Sequence, residues 1–170
     1  DANDPKMYPV DYDRAFKKLD QIKPHITKWY KSGGEQQQMI ENGEVDLIQM
    51  WNGRAGDSII NNGAPFAIEW NQALYSGVLQ GWVILTGAPN PAGAHKLLDF
   101  VGRAEPQAVF ARNLFYGPAN SAAYKLLDDK VARMLPSHPD NIKVAHTHEW
   151  NYMSANVSEM RRRFEEWLQS

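Results

Sequence analysis

Trp51-Asn52 is the pair in this chain best placed to do chemistry. Val45 to Met50 before it is a short, mostly apolar run of strand length, and Asn42-Gly43 earlier still closes a helix. Asn52-Gly53 is a strong turn pair. The spacing predicts a buried strand that delivers an indole and an amide at its end, where open α/β sheets hold their ligands. Alternatively Trp51 is a core residue, since Trp is highly buried on average. Other aromatic and amide residues fall at expected element ends: Trp29-Tyr30, Trp70-Asn71, Tyr75, Tyr116 and Trp150-Asn151-Tyr152. Small-ligand pockets are apolar and aromatic with a few orienting polar groups, so this set points to binding. Most of these rings are expected in core or interface, and a minority against ligand.

The case for catalysis is thin. His146-Thr147-His148-Glu149 lacks the i, i+4 spacing of a helical zinc site and has no cysteine or second cluster to support it, so it is read as a polar loop. Arg161-Arg162-Arg163 falls on the polar side of an amphipathic helix and is read as a solvated face. The glycines form neither a Walker pattern nor a dinucleotide fingerprint, no serine sits in a nucleophile elbow, and the carboxylates are scattered. Neither a metal, a cofactor nor an enzymatic activity is expected.

At 170 residues the chain can hold one domain with a real core. Its 43% hydrophobic and 22% charged content is that of a globular protein. A net charge of −2 gives no general electrostatic case for nucleic acid. No apolar run approaches the ~20 residues that span a bilayer. The absence of cysteine rules out disulfides without identifying a compartment. The chain begins Asp1-Ala2-Asn3-Asp4-Pro5 with no initiator Met, which suggests a chain cut within a longer sequence.

The elements that must position these residues follow from periodicity and caps. Asp11 caps a helix through Tyr12, Phe16, Leu19 and Ile22 that Pro24 ends. Ile26 to Tyr30 is strand-like. Ser32-Gly33-Gly34 is a flexible turn, and a Gln-rich helix runs from Glu35 to Asn42. After the strand ending at Trp51, a helix from about Gly53 to Asn62 stops at Gly63. Phe66, Ile68 and Trp70 alternate as in a half-buried strand. Val78 to Leu85 is another candidate strand. Asn90 and Pro91 open a helix with Ala94, Leu97, Leu98 and Val101 on one face. Pro106 opens a second, through Val109, Phe110 and Leu114, and Asn120 caps a third through Leu127. Residues 129–150 read as irregular. Asn156 caps a last helix whose face carries Val157, Met160, Phe164, Trp167 and Leu168. Strands alternating with helices give the class α/β.

Taken in order, these stretches resemble the C-terminal half of the spermidine/putrescine-type periplasmic solute-binding proteins of ABC importers. The resemblance runs through Gly43-Glu44-Val45 to Trp51-Asn52-Gly53, then Gly87-Ala88-Pro89-Asn90 with Ala94-His95-Lys96-Leu97-Leu98-Asp99-Phe100. It continues through Tyr116-Gly117-Pro118 with Asn120 and Ala123, Leu135-Pro136, and Glu149-Trp150-Asn151. It covers nearly the whole chain. It implies a two-lobed, class II periplasmic-binding-protein-like fold. Residues 1–80 would belong to the second lobe, 81–125 would return to the first, and 126–170 would complete the second. It further implies a small-molecule solute, the importer's membrane subunits as partners, and a periplasmic or cell-surface location. The missing N-terminal half, or a second copy of the chain, would cover apolar faces at Val83, Ile84, Leu97, Leu98, Val101, Val109 and Phe110.

Carried over position by position, Trp51 resembles the family's ligand-stacking Trp, where a cationic amine over the ring gains about 0.5–2 kcal/mol. Asn151 resembles a polar contact near the C-terminus, expected to face the same cleft, and Ser32 lies near a further one. Where polyamine binders place a Trp and, two residues on, an Asp, this chain has Val78 and Gln80. Gln80 is neutral and gives a buried ammonium no charge-assisted bond, which leaves a different polar or cationic solute open. Two other classes stay in view: a stand-alone protein-interaction domain, and an enzyme on a similar two-lobed scaffold.

Overall fold

The computed structural model describes residues 7–75 and 81–170. The chain divides into two compact units, one made of Asp1–Trp29 with His146–Ser170, the other of Tyr30–Ala145.

In the first unit, α1 (Tyr12–Ile22) starts where expected, with the Asp11 carboxylate accepting from the Arg14 N–H. Pro24 lies in a short 3₁₀ turn, Lys23–His25, that ends the helix. The C-terminal helix, α8 (Trp150–Gln169), begins six residues before the expected Asn156 cap. Glu149 supplies the cap instead, its carboxylate accepting from the N–H groups of Asn151 and Tyr152. Asn156 sits inside the helix and donates back to the Tyr152 carbonyl. The two helices are tied by aromatic packing. Phe16 of α1 packs on Trp167 of α8 with ring centres 6.3 Å apart, the Trp167 indole N–H donates to Asp20 at 2.7 Å, Trp29 meets the same indole edge-on, and the Lys23 ammonium sits 4.5 Å from its ring centre.

The second unit holds α2 (Gly33–Glu41), α3 (Asn52–Ile60), α4 (Pro91–Val101), α5 (Ala104–Leu114), α6 (Asp129–Arg133) and α7 (Pro139–Val144). Two readings shift by a turn. Ser32-Gly33-Gly34 is no free turn, because Ser32 caps α2 through the Glu35 N–H and the glycines are its first residues. Asn52-Gly53 opens α3 rather than turning the chain. The stop at Gly43 stands, with φ at +68° just past the Asn42 cap. Residues 129–150 are less irregular than expected, since Asp128 and His138 cap two short helices there. After Asn120 the chain winds as a 3₁₀ helix, Ser121–Leu126.

The helices expected from periodicity are present, but no β-strand occurs among the described residues. Residues 26–30, 45–50, 66–70 and 81–85 are non-helical and unladdered; Val78 to Gln80 lie outside the described residues. A strand is a property of a pair, and its residues need a neighbour offering a ladder of N–H and C=O groups. None of these segments provides that ladder to another.

The core of this unit is Ala111, Phe115, Val131 and Leu135, with Ile60, Tyr124 and Leu127 packed against it. Glycine makes the packing possible. A Cβ on Gly56 would lie 2.4 Å from the Phe115 ring, so α3 receives that ring directly on its backbone.

Helices α2 and α3 are joined by a polar tie. One oxygen of Glu41 accepts from Ser58 at 2.5 Å, Asn62 at 2.9 Å and Gln37 at 3.1 Å; Gln37 also donates to Asp57, as does Asn61. The Ser58 hydroxyl, then Asn62 and Gln37, hold the Glu41 carboxyl below its ordinary value, and Asn61 with Gln37 do the same for Asp57. Groups depressed in the folded state stabilise above their unfolded pKa values of about 4, and that stability drains away as pH falls through the folded values. Thermal melts should therefore drop between neutral and about pH 3, and Glu41→Gln should flatten part of that acid limb. An acid limb identical in the variant would remove Glu41 from this role.

Candidate binding site

The site grows from the junction of α2, α3 and α5. Trp51 occupies the position before α3 with extended backbone and no side-chain cap bond. Its ring lies against the first turn of α2, where a Cβ on Gly33 would approach it to 3.3 Å. Trp51 is nonetheless 59% exposed, so it is not the core residue of the alternative reading. Asn52 is held the other way: its amide donates to the Phe115 carbonyl. Phe115 ends α5 in the left-handed conformation with φ at 57°, which aims that carbonyl at α3 and turns the chain into Tyr116. A Cβ on Gly53 would sit 3.0 Å from Tyr116, so the Tyr116 ring too rests on bare backbone.

Trp51, Asn52 and Tyr116 border a cavity of about 850 Å³ within the second unit. Trp51, Trp70, Tyr75 and Tyr116 bring aromatic surface to it, Asn52, Gln49 and Gln72 bring amides, and Asp46 and Glu69 bring carboxylates. No Lys, Arg or His lines it among the described residues. A concave, aromatic wall with carboxylates and no cation attracts positively charged, partly apolar molecules.

The expected site residues fare differently. Trp51 lines the cavity. Ser32 does not line it, and its hydroxyl oxygen serves the α2 cap, one residue from the glycine that touches Trp51. Gln80 lies outside the described residues. Asn151 belongs to the other unit, exposed in the first turn of α8. Asp46 and Glu69 were not singled out from the sequence, and neither was Phe115. The spacing of Gly53 and Gly56, one turn apart on α3, is the signal that could have pointed to a ring packed there.

Two side chains of the His146 to Glu149 stretch have structural partners. Glu149 caps α8, and His148 pairs its Nδ1 with the Tyr8 hydroxyl at 3.2 Å. Burial, then neighbouring His146, pushes the His148 pKa down, which favours the neutral ring. Arg162 is paired with Glu159 and Glu166, and Arg163 lies over the Tyr12 ring at 4.3 Å.

Residues 1–137 match the family described as bacterial extracellular solute-binding protein. This chain belongs to that family. Among its relatives is the gamma-aminobutyric acid-binding protein of Pseudomonas aeruginosa, 32% identical over 159 residues, or 94% of this chain and 44% of the relative. The spermidine/putrescine-binding periplasmic protein of Salmonella typhimurium is 28% identical over 132 residues, 78% of this chain and 37% of that one. Among solved structures, PBP AgtB from A. tumefaciens R10 in complex with agropinic acid superposes with a TM-score of 0.74 and 32% identity, covering 96% of this chain and 50% of its own. This family member thus spans about half the length of the relatives it matches. Its likeness to a solved binding protein at that coverage places it with the periplasmic binding proteins by fold as well as by sequence.

Proposed function

We propose that this chain is the C-terminal half of the solute-binding component of an ABC importer, exported to the periplasm or cell surface. It binds a polyamine-like or other small polar or cationic solute and catalyses nothing. The observation that carries the reading is the cavity wall, with Trp51, Trp70 and Tyr116 beside Asp46 and Glu69 and no lining cation among the described residues. In this reading the fold is a two-lobed α/β architecture, and the extended segments 45–50 and 66–70 become strands in the complete protein. Residues 81–125 contribute to the first lobe, the rest to the second. Trp51 stacks on the solute. Asn151, Gln80 and Ser32 are further contacts on the strength of the family likeness. Lobe closure around solute, with higher affinity in the closed state, presents the protein to the importer's membrane subunits.

The test is calorimetry on the full-length protein with putrescine, gamma-aminobutyric acid, a neutral sugar and a dicarboxylate. Binding of an amine without turnover is the expected result. Tight binding of the dicarboxylate with no response to either amine would contradict the charge reading. Turnover of any bound solute would restore the enzyme class.

Exposed apolar residues favour a role for a second polypeptide surface. Trp82 and Val83 are 71% and 80% exposed, and Leu97, Phe100, Val109 and Phe110 are each about half exposed. Ile84, Leu98 and Val101 are only partly covered, so none of the apolar residues expected to lack a partner is buried. Monomers rarely leave contiguous apolar patches beyond a few hundred Å². The 170-residue chain should therefore sediment above its monomer mass at micromolar concentration. A well-behaved monomer would argue against the half-protein reading.

A further inference from the structure

The sequence holds three Asn-Gly pairs, Asn42-Gly43, Asn52-Gly53 and Asn62-Gly63, and the fold gives each a different setting. An asparagine followed by glycine is open to attack on its own side-chain amide, because no Cβ on the next residue shields the backbone nitrogen that attacks. Attack needs two freedoms: the side chain must turn toward that nitrogen, and the asparagine backbone must leave its helical conformation. At Asn52 both are withheld. Its amide is bonded to the Phe115 carbonyl, its backbone lies in the first turn of α3, and the Arg54 and Ala55 N–H groups close that turn on the Trp51 carbonyl at 3.0 and 3.1 Å. At Asn62 the amide donates to Glu41 at 2.9 Å. At Asn42 the side chain is exposed and has no hydrogen-bond partner among the described residues. Its backbone sits at the end of α2, where helices fray, and a Cβ on Gly43 would meet nothing within 4 Å. The Gly43 N–H is held by a long bond, 3.3 Å to the Ile40 carbonyl.

We infer that Asn42-Gly43 is a site of spontaneous deamidation and isomerisation, and that its conversion unlatches the end of α2. The deprotonated Gly43 nitrogen attacks Asn42 Cγ. The N–Cγ bond forms, the Cγ–Nδ2 bond breaks, and the amide nitrogen leaves as ammonia after taking a proton from solvent. Water then opens the cyclic imide at either carbonyl, giving aspartate or isoaspartate. Isoaspartate carries the main chain through its side-chain carbons, so the backbone gains one methylene. That length matters here. Gly43, with φ at +68°, lets its own N–H reach Ile40 and the Glu44 N–H reach the Met39 carbonyl at 2.9 Å, the paired bonds of a Schellman end. A chain one carbon longer does not close both. The new carboxylate also stands at the negative end of the α2 dipole, between Glu41 and Glu44 in sequence. Asp46 of the cavity wall follows closely in the chain, so the modification loosens the anchor of that wall without altering a lining residue.

Peptide mapping by mass spectrometry tests the site, on the 170-residue chain aged at mildly alkaline pH in buffer and in urea. In the folded chain Asn42 should convert at least about 10-fold faster than Asn52, with Asn62 between them, because held sites react only through local opening. In urea the three pairs should convert within about 3-fold of one another, since the dipeptide alone then sets the rate. Asn42→Gln should abolish the fast conversion. Amide hydrogen exchange tests the latch, comparing aged chain enriched in isoaspartate at position 42 with Asn42→Asp, which carries the charge on an unlengthened backbone. The Glu44 amide should lose its protection in the isoaspartyl form and keep most of it in Asn42→Asp. Conversion of Asn52 or Asn62 in the folded chain as fast as that of Asn42 would overturn the site. The same ranking in urea as in buffer would overturn the part the fold plays in it. Equal protection of Glu44 in the unaged chain and the isoaspartyl form would overturn the latch.

Discussion

Phe115→Ala should destabilise the second unit by about 3–5 kcal/mol, the cost of emptying an aromatic site in a packed core. The ring is 1% exposed and touches the backbone of α3, where Gly56 leaves it room. Its loss opens a void between α3, α5 and the Val131–Leu135 segment that rigid helix backbone closes poorly. Gly56→Ala attacks the same contact from the other side, since the added Cβ meets the ring's inner atoms rather than a flexible tip; overpacking of that kind costs about 1–3 kcal/mol. Urea denaturation of the two variants measures both effects. A Phe115→Ala loss below about 1 kcal/mol would mean that the ring does not anchor the core.

Trp51→Ala should weaken solute binding by the full-length protein by about 1–3 kcal/mol, or roughly 5- to 150-fold in Kd. The ring is largely exposed and caps nothing, so its removal should leave the unfolding midpoint nearly unchanged. That separation of affinity from stability distinguishes a ligand-facing ring from a packing one. Unchanged affinity measured by calorimetry on a folded variant would remove Trp51 from the site. A large fall in stability would return it to the core.

Much of the helical frame was legible because caps and periodicity are local. Asp11, Asn90 and Asn120 each accept the N–H groups their positions imply, and Gly43 and Gly63 adopt the positive φ that only a residue without Cβ takes easily. The start of α8 was misplaced because Asn156 and Glu149 are both able to cap, and the choice between them depends on which N–H groups lie free. The expected strands could not be settled from composition, since Val45–Met50 and Phe66–Trp70 specify an extended chain but not its partner. In the site, Trp51 stood out by residue type and position. Glu69 and Asp46 did not, because an acidic residue in an extended segment resembles any solvated one until the fold shows which side borders a cavity. The Asn52–Phe115 bond joins residues 63 positions apart, a distance no local pattern spans.

The contact between Gly33 and the Trp51 ring gives the site a tuning screw outside its wall. A methyl group at position 33 would press on the six-membered edge of the indole at 3.3 Å, and the ring would swing before the helix backbone yielded. Position 33 is not among the residues that line the cavity. On the proposed reading of the cavity as a solute site, related chains would come to prefer differently shaped solutes with every lining residue unchanged, and selection experiments that randomise the wall alone would overlook that route.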